Sequence, residues 1–485
     1  MDQPTSNTVP PSVVSEPIPD MGVPKPPPKT LPKLPSLPIK KILIALVALI
    51  CIGGVGLLAK TVLGRRGSLS PASESRPITL VYWGMWEDND NLKAVIKDFE
   101  AQNPGVTVQY SSQSPKDYSD RLISACTRGQ CPDLFRFHST WATQYNQKGL
   151  LATLPASVMS NSEYEQTFYP VVSTDLKTPT GYVGIPLMFD GLGLYINKRI
   201  LQASGKSVPT TWDELRTLAG ELTIKGTNGT SIERSGVALG TANNVDHFSD
   251  ILTVLILQNS GSPAKPEAFG SGSSTSGGAN GQASLVGDAL TFYTQFARTD
   301  KIWDETLPNS TYAFAIEKAA MILAPAWRAA EIKKINPNFE FEVYPIPQLP
   351  GKPVTYANYW VEGVSKTSKE QDSAWKLLKY LSQKDTLLKL NAPQAGQPIK
   401  EVYPRQDMAG LLANDPYAGA IVRQAPTARS FYMSSRTFDK GINDKMIEAY
   451  ADIVTQMAKG ARYDELAVKF APSIQNLVTS FGIRP

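Results

Sequence analysis

From Ile78 onward the chain alternates short apolar runs with stretches whose apolar residues recur every three or four positions. ITLVYW (78–83) reads as a strand ending in tryptophan, and in NLKAVIKDFEAQ the residues Leu92, Val95, Ile96 and Phe99 fall on one helical face. Asn103, Pro104 and Gly105 stop that helix, and VTVQY alternates as a second strand. A strand, helix, strand unit predicts parallel pairing through a right-handed crossover, hence an α/β architecture. A further helix, YSDRLISACTRG, leads to the strand DLFRF, whose carboxyl end carries His138, Ser139, Thr140 and Trp141. Ligands of open α/β sheets sit beyond the carboxyl ends of strands, so Trp83, Trp86, His138 and Trp141 are expected to project into one crevice.

Downstream, TWDEL (211–215) spells a capping box, with Thr211 accepting from the amide of Glu214 and Glu214 reaching back. SKEQ (368–371) offers the same device before AWKLLKYL, whose Ala374, Leu377, Leu378 and Leu381 share a face. AFGSGSSTSGGANGQ (268–282) reads as a flexible surface loop, and no internal repeat is visible. The run YVGIPLMFDGLGLYINKR (182–199) is apolar except for Asp190 until its basic end. A carboxylate there is either a turn or helix-cap group or part of a polar site.

The N-terminal pattern is different. Residues 1–40 hold a large share of the 38 prolines, as in VPKPPPKTLPKLPSLP, and predict a disordered, partly polyproline tail. Residues 42–59 carry no charge and extend to Leu63 if Lys60 snorkels, enough to cross a hydrocarbon core of about 30 Å. The expectation is a disordered tail (1–40), one transmembrane helix (41–63) and a linker (64–77). A cleaved signal peptide would need an unusually long charged region, and a lipidated Cys51 would follow Ile50 where a small residue is usual. Lys40 and Lys41 on one flank oppose Lys60, Arg65 and Arg66 on the other, so charge sets orientation weakly.

Length and composition narrow the classes. A chain of 485 residues, 42% hydrophobic and 19% charged, suits two folded units or one bilobed body. The formal net charge of +4, without a dense Lys/Arg block, argues against nucleic-acid binding. Besides Cys51 there are only Cys126 and Cys131, too few for an all-cysteine zinc site. In an exported domain these two can pair, with a short-loop stabilisation of roughly 2 kcal/mol; in a cytosolic one they would be free thiols. Export is the expectation here, and the disulfide follows from it.

Enzyme signatures are largely missing. GKS (205–207) lacks the glycine of a phosphate-binding loop, since Ile200 stands in its place, and HExxH, GxSxG and GxGxxG are absent. Only two histidines exist, His138 and His247. A carboxylate pair for glycoside hydrolysis is set by distance in space and leaves no spacing to read. The positive signal is aromatic: Trp83 and Trp86, Trp141, Trp327 in MILAPAWR, and Tyr359 with Trp360 in YANYW stand at apparent strand ends or turns. Sugars present apolar C–H faces and polar rims, which suit aromatic platforms flanked by groups such as Glu87, Asp88, Asp190 and Asn358.

Taken in order, ITLVYWGMW, CPDLFRFHSTW, YVGIPLMFDGLGLYINKR, VPTTWDEL, GVALGT, FAIEKAAMILAPAW, YPIPQLP, VTYANYW and SKEQDSAWKLLKYLSQKD resemble the family 1 extracellular solute-binding proteins, the maltose-binding-like receptors of ABC importers. The similarity runs from about Ile78 to about Tyr450. It implies a two-lobed α/β fold of the periplasmic-binding-protein type (type II), with 78–189 and about 355–410 in lobe 1, and 190–354 and about 411–485 in lobe 2. It also implies that Asp190 lies where the chain crosses between lobes, IPLMF being sheet of the first and GLGLYINKR the first strand of the second.

The contact positions implied by the resemblance are Trp83 to Asp88 (including Trp86 and Glu87), Phe137 to Trp141 (including His138), Asp190, Trp327 as a stacking aromatic, and Asn358, Tyr359 and Trp360 at the return crossing, with Gln394 to Gln397 as a further loop. Two features depart from the family: the tail with its membrane helix, and the Cys126/Cys131 pair. The expected function is capture of a sugar by a non-catalytic receptor held in the cell membrane through 42–63, its binding domain extracytoplasmic, delivering to ABC permease subunits. No cofactor or metal is implied. A sensor or adhesin on the same fold, or a glycan-degrading enzyme using Asp190, are the alternatives. An anionic solute would need a basic pocket, to which Arg136 or Arg328 would contribute.

Overall fold

The computed structural model describes residues 76–86, 90–259, 262–265, 284–351, 353–392 and 402–483. The expected tail, the membrane helix with Cys51, the linker up to residue 75, Glu87, Asp88, the loop 268–282 and Gln394 to Gln397 lie outside the described residues. Among the described residues no helix is long and apolar enough to cross a membrane.

Strand β1 (Ile78–Met85), helix α1 (Asp90–Gln102), strand β2 (Val106–Gln113), helix α2 (Tyr118–Thr127) and strand β3 (Leu134–His138) follow in the expected order. The apolar face of α1 is buried at Leu92, Val95, Ile96 and Phe99. β1 pairs in parallel with both β2 and β3. Next come β4 (Ile185–Pro186), β5 (Gly193–Asn197), α3 (Trp212–Leu222), α4 (Phe248–Gln258), β6 (Met321–Ala324), α5 (Arg328–Ile335) and β7 (Phe341–Tyr344). The chain continues through β8 (Thr355–Tyr356), β9 (Trp360–Val364), α6 (Gln371–Leu381), β10 (Ala428–Arg429) and α7 (Ile442–Ala458). A five-stranded sheet has the order β2-β1-β3-β9-β4, with β9 antiparallel to its neighbours, and a three-stranded antiparallel sheet has the order β6-β5-β7.

Each sheet carries its own hydrophobic core. Leu80, Phe135, Phe137, Val361, Trp375 and Leu378 belong to the first, and Leu194, Tyr195, Trp212, Leu252, Ile322 and Val454 to the second. The molecule is therefore two-lobed. Among the described residues the chain crosses between cores in three segments, from Phe189 to Leu192, from Tyr356 to Ala357 and from Ala428 to Met433, while Ala326 and Ala420 each touch the opposite core in passing. The expected return near 410 stands upstream of this last passage. Leu412, Ile421, Val422, Ala425 and Ala428 pack into the first core, so the return falls after β10, which pairs with β8 at the second passage.

Three local readings also change. β1 runs on to Met85, which places Trp83 two residues inside the strand and leaves Trp86 at its end. Only Ile185 and Pro186 of IPLMF join the ladder, and Phe189 makes an isolated bridge to Val402. The capping box forms at Thr211, but SKEQ does not make one. Ser368 Oγ accepts from the Glu370 amide (3.1 Å) and donates to Asp133 Oδ1 (2.5 Å), so its oxygen is used in a turn ahead of α6, which begins only at Gln371 with Glu370 as its cap residue.

Candidate functional site

Asp190 lies on the first passage, and it is 6% exposed. Its Oδ1 accepts from the amides of Gly191 (2.7 Å) and Ala326 (3.0 Å), and its Oδ2 from that of Trp327 (3.4 Å), at the start of α5. Amides at a helix start lack intrahelical acceptors and carry partial positive charge, so a carboxylate is the natural partner. Asp190 is thus a carboxylate that accepts from amides at a helix start, reached across 136 residues of sequence. The Asp190 carbonyl accepts from the Asn358 amide (2.9 Å), which ties the first passage to the second. Gly191 fits because the Tyr356 carbonyl oxygen would lie 2.3 Å from any Cβ there.

On the first lobe the strand ends present aromatics. Trp86 is 49% exposed, has a left-handed backbone (φ 66°), and meets the half-buried Trp360 edge-on at 4.9 Å. Trp360 also contacts His138 (5.0 Å) and Trp141 (5.4 Å) edge-on. Trp141 and Phe137 are themselves core residues, the former among Tyr118, Tyr145 and Trp360 and the latter beside Phe135 and Tyr145. Tyr359 is buried as well, donating its hydroxyl to Asp175 (2.7 Å). These three contact positions implied by the resemblance are buried beneath the exposed rings. Trp83 is half-buried in mid-strand.

His138 is fully buried yet hydrogen-bonded. Nδ1 accepts from the Thr140 amide (3.3 Å), so Nε2 carries the proton and donates to Asn358 Oδ1 (2.8 Å). Burial, only partly opposed by the bond to Asn358, lowers its pKa to about 4 and keeps the ring neutral near pH 7.

The second lobe answers with a polar cluster around Trp327 that sequence pattern did not reveal. Arg328, 2% exposed, donates from Nε to His247 Nε2 (3.0 Å), lies 3.4 Å from Asp246, and pairs with Glu331. Its guanidinium sits 4.3 Å from the Trp327 ring centre. His247 Nδ1 turns to Asp250 Oδ2 (3.1 Å) and Ser435 Oγ (2.7 Å), while Asp250 Oδ1 accepts from Tyr356 (2.8 Å) and from the Ser435 amide (2.8 Å). Burial lowers the His247 pKa, so this imidazole too is held neutral. Arg436, just after the third passage, reaches Asp246 at 3.5 Å and lies 5.6 Å from the Trp327 ring.

One network spans the passages. Asn358 Nδ2 donates to the Ser435 carbonyl (3.5 Å), and Asn443 Nδ2, at the start of α7, donates to Thr140 Oγ1 (2.8 Å). His138 of the first lobe is thereby joined to the Ser435, His247 and Arg328 cluster of the second. The structure thus brings Trp86, His138, Asn358, Trp360, Asp190 and Trp327 around one junction. Arg136 is buried at 3% exposed, lies 2.6 Å from the Glu362 carboxylate, and donates to the Met85 carbonyl (3.0 Å). Both arginines named for an anionic pocket are thus buried and paired with carboxylates. No group of three or more His, Cys, Asp or Glu among the described residues is arranged to hold a metal ion. Cys126 and Cys131 form a disulfide at the end of α2.

Two lobes joined by crossing segments, with a polar and aromatic junction between them, agree with the sequence match. Residues 86–386 match the family of bacterial extracellular solute-binding proteins. The chain belongs to that family. Among related solute-binding proteins, a binding protein of Brucella abortus (strain 2308) is 26% identical over 385 residues, 77% of this chain and 87% of its own. The multiple sugar-binding protein of Streptococcus mutans is 24% identical over 339 residues, 68% of this chain and 77% of its own. In structure, the sugar-binding protein MalE of Xanthomonas citri aligns with a TM-score of 0.66 at 19% identity, over 83% of this chain and 98% of that one. A solute-binding protein of Thermotoga lettingae bound with α-D-tagatose aligns at 0.59 and 22% identity, over 83% and 100%. At these identities the structural likeness speaks for the two-lobed fold.

Proposed function

We propose that this solute-binding protein captures a neutral mono- or oligosaccharide between its lobes and delivers it to the permease of an ABC importer, tethered to the outer face of the membrane through residues 42–63. The observation that carries the reading is the pairing of indole surfaces with neutralised polar groups. Trp86 and Trp360 offer aromatic area on one lobe and Trp327 on the other, while Arg136 and Arg328 are both paired with carboxylates. Such a surface suits C–H faces and hydroxyls better than a net charge. Relatives named for sugar binding support the same class. Capture needs no chemical step: a solute touching both lobes favours the arrangement in which both touch it.

A thermal-shift screen of the full-length chain against sugars, polyamines and phosphorylated polyols tests this. A ligand at a hundred times its Kd stabilises the native state by about 2.7 kcal/mol, a readily visible rise in melting temperature. The reading expects a neutral saccharide to give it, and expects Trp327→Ala to weaken that binding without unfolding the chain. A shift from a charged solute alone would replace the sugar by that solute, and unchanged affinity in the variant would remove Trp327 from the site.

A further inference from the structure

We infer that Arg436, which no sequence pattern singled out, is a specificity-determining residue that donates a fork of hydrogen bonds to two adjacent hydroxyl oxygens of the solute. The inference rests on the saccharide reading and names one of its recognition elements. Arg436 stands just after the third passage between lobes, next to Ser435, whose carbonyl receives Asn358 and whose hydroxyl joins the His247 and Asp250 cluster. It is therefore at the junction and not on an outer face.

Its state differs from that of every polar neighbour. Arg328 is 2% exposed and engaged by His247, Asp246 and Glu331. The Arg436 side chain is 47% exposed, and among the described residues its one protein acceptor is Asp246 Oδ1, at a long 3.5 Å. Asp246 is shared: its Oδ2 accepts from Thr311 (2.6 Å) and faces Arg328 (3.4 Å). One edge of the Arg436 guanidinium is thus lightly steadied, its other N–H donors have no hydrogen-bond partner among the described residues, and the group lies over the Trp327 ring, 5.6 Å from its centre. A planar donor fork held next to an indole matches two adjacent hydroxyls of a sugar ring bound against aromatic surface.

The backbone shows that this placement is held. Arg436, Phe438 and Lys440 have left-handed φ values of 60°, 55° and 47°, a region that residues with a Cβ seldom occupy. The strap is pinned from within by Asp439, which accepts from the Gly441 amide (2.8 Å) and from Asn443 Nδ2 (2.8 Å). Lys440 ties it to Asp117 of the first lobe.

The test uses the full-length chain, the best saccharide from the melting screen, and the monodeoxy analogues of that saccharide. Arg436→Ala and Arg436→Gly should each raise Kd roughly 10- to 100-fold, the range for a lost charge-assisted pair. The unliganded melting temperature should not fall in the glycine variant, whose backbone suits the left-handed region. Arg436→Lys should not restore binding, because an ammonium cannot fork. At least one monodeoxy analogue should bind the wild type more weakly than the parent sugar yet bind Arg436→Gly equally well. Affinities within twofold of wild type in the variants, or the same parent-to-analogue ratios in both proteins, would overturn the assignment while leaving the receptor reading intact. A wild-type chain that binds no saccharide would overturn both.

Discussion

Replacing Asp190 discriminates between its two possible roles. Asp190→Ala removes the acceptor of two well-formed buried amide bonds, Gly191 at 2.7 Å and Ala326 at 3.0 Å, and of a longer one from Trp327 at 3.4 Å. Each stranded buried donor costs about 1–3 kcal/mol, and loss of a charge at a helix start adds about 0.5 kcal/mol. The expected destabilisation is about 4 kcal/mol, read as a drop in the urea midpoint followed by tryptophan fluorescence at unchanged slope. Asp190→Asn keeps a carbonyl oxygen in the place of Oδ1 and loses mainly the charge, so about 1–2 kcal/mol is expected, with saccharide affinity nearly retained. A loss below about 1 kcal/mol in the alanine variant would refute the cap role. An asparagine variant of wild-type stability that no longer binds sugar would make Asp190 a direct contact instead.

Stability should depend on acid through His138. Unfolding releases an imidazole of pKa 6.5 from a site where burial holds it at about 4, so the unfolded chain takes up the proton first as pH falls. The stability present above pH 6.5 should decline by roughly 3 kcal/mol on approaching pH 4, and His138→Gln should flatten that decline in urea melts across the window. An identical slope in the variant would show that His138 is not the group responsible. Glu362→Ala should cost about 3–5 kcal/mol by stranding Arg136 in the first core, and Arg136→Met with Glu362→Leu should recover most of it. A single variant as stable as wild type in the same melts would mean that the pair is not effectively buried.

The sequence by itself determined what short-range physics can encode. The apolar face of α1, the breakers at Asn103 to Gly105, the alternation of β2 and the Thr211 capping box all depend on residues a few positions apart, and each forms where it reads. The two-lobed family was legible for a related reason: its strand-end words keep their order along the chain. Placement of the aromatic candidates was only half legible. Strand ends can be counted, which brings Trp86 and Trp360 to the junction, but whether a ring there lines a surface or fills a core depends on what packs behind it, as Phe137, Trp141 and Tyr359 show. Tertiary structure alone decided the polar chemistry. Asp190 finds Ala326 and Trp327, His247 finds Arg328 and Ser435, and the Ser368 hydroxyl finds Asp133. A buried polar group takes whichever distant partner satisfies it, and no periodicity along the chain records that choice.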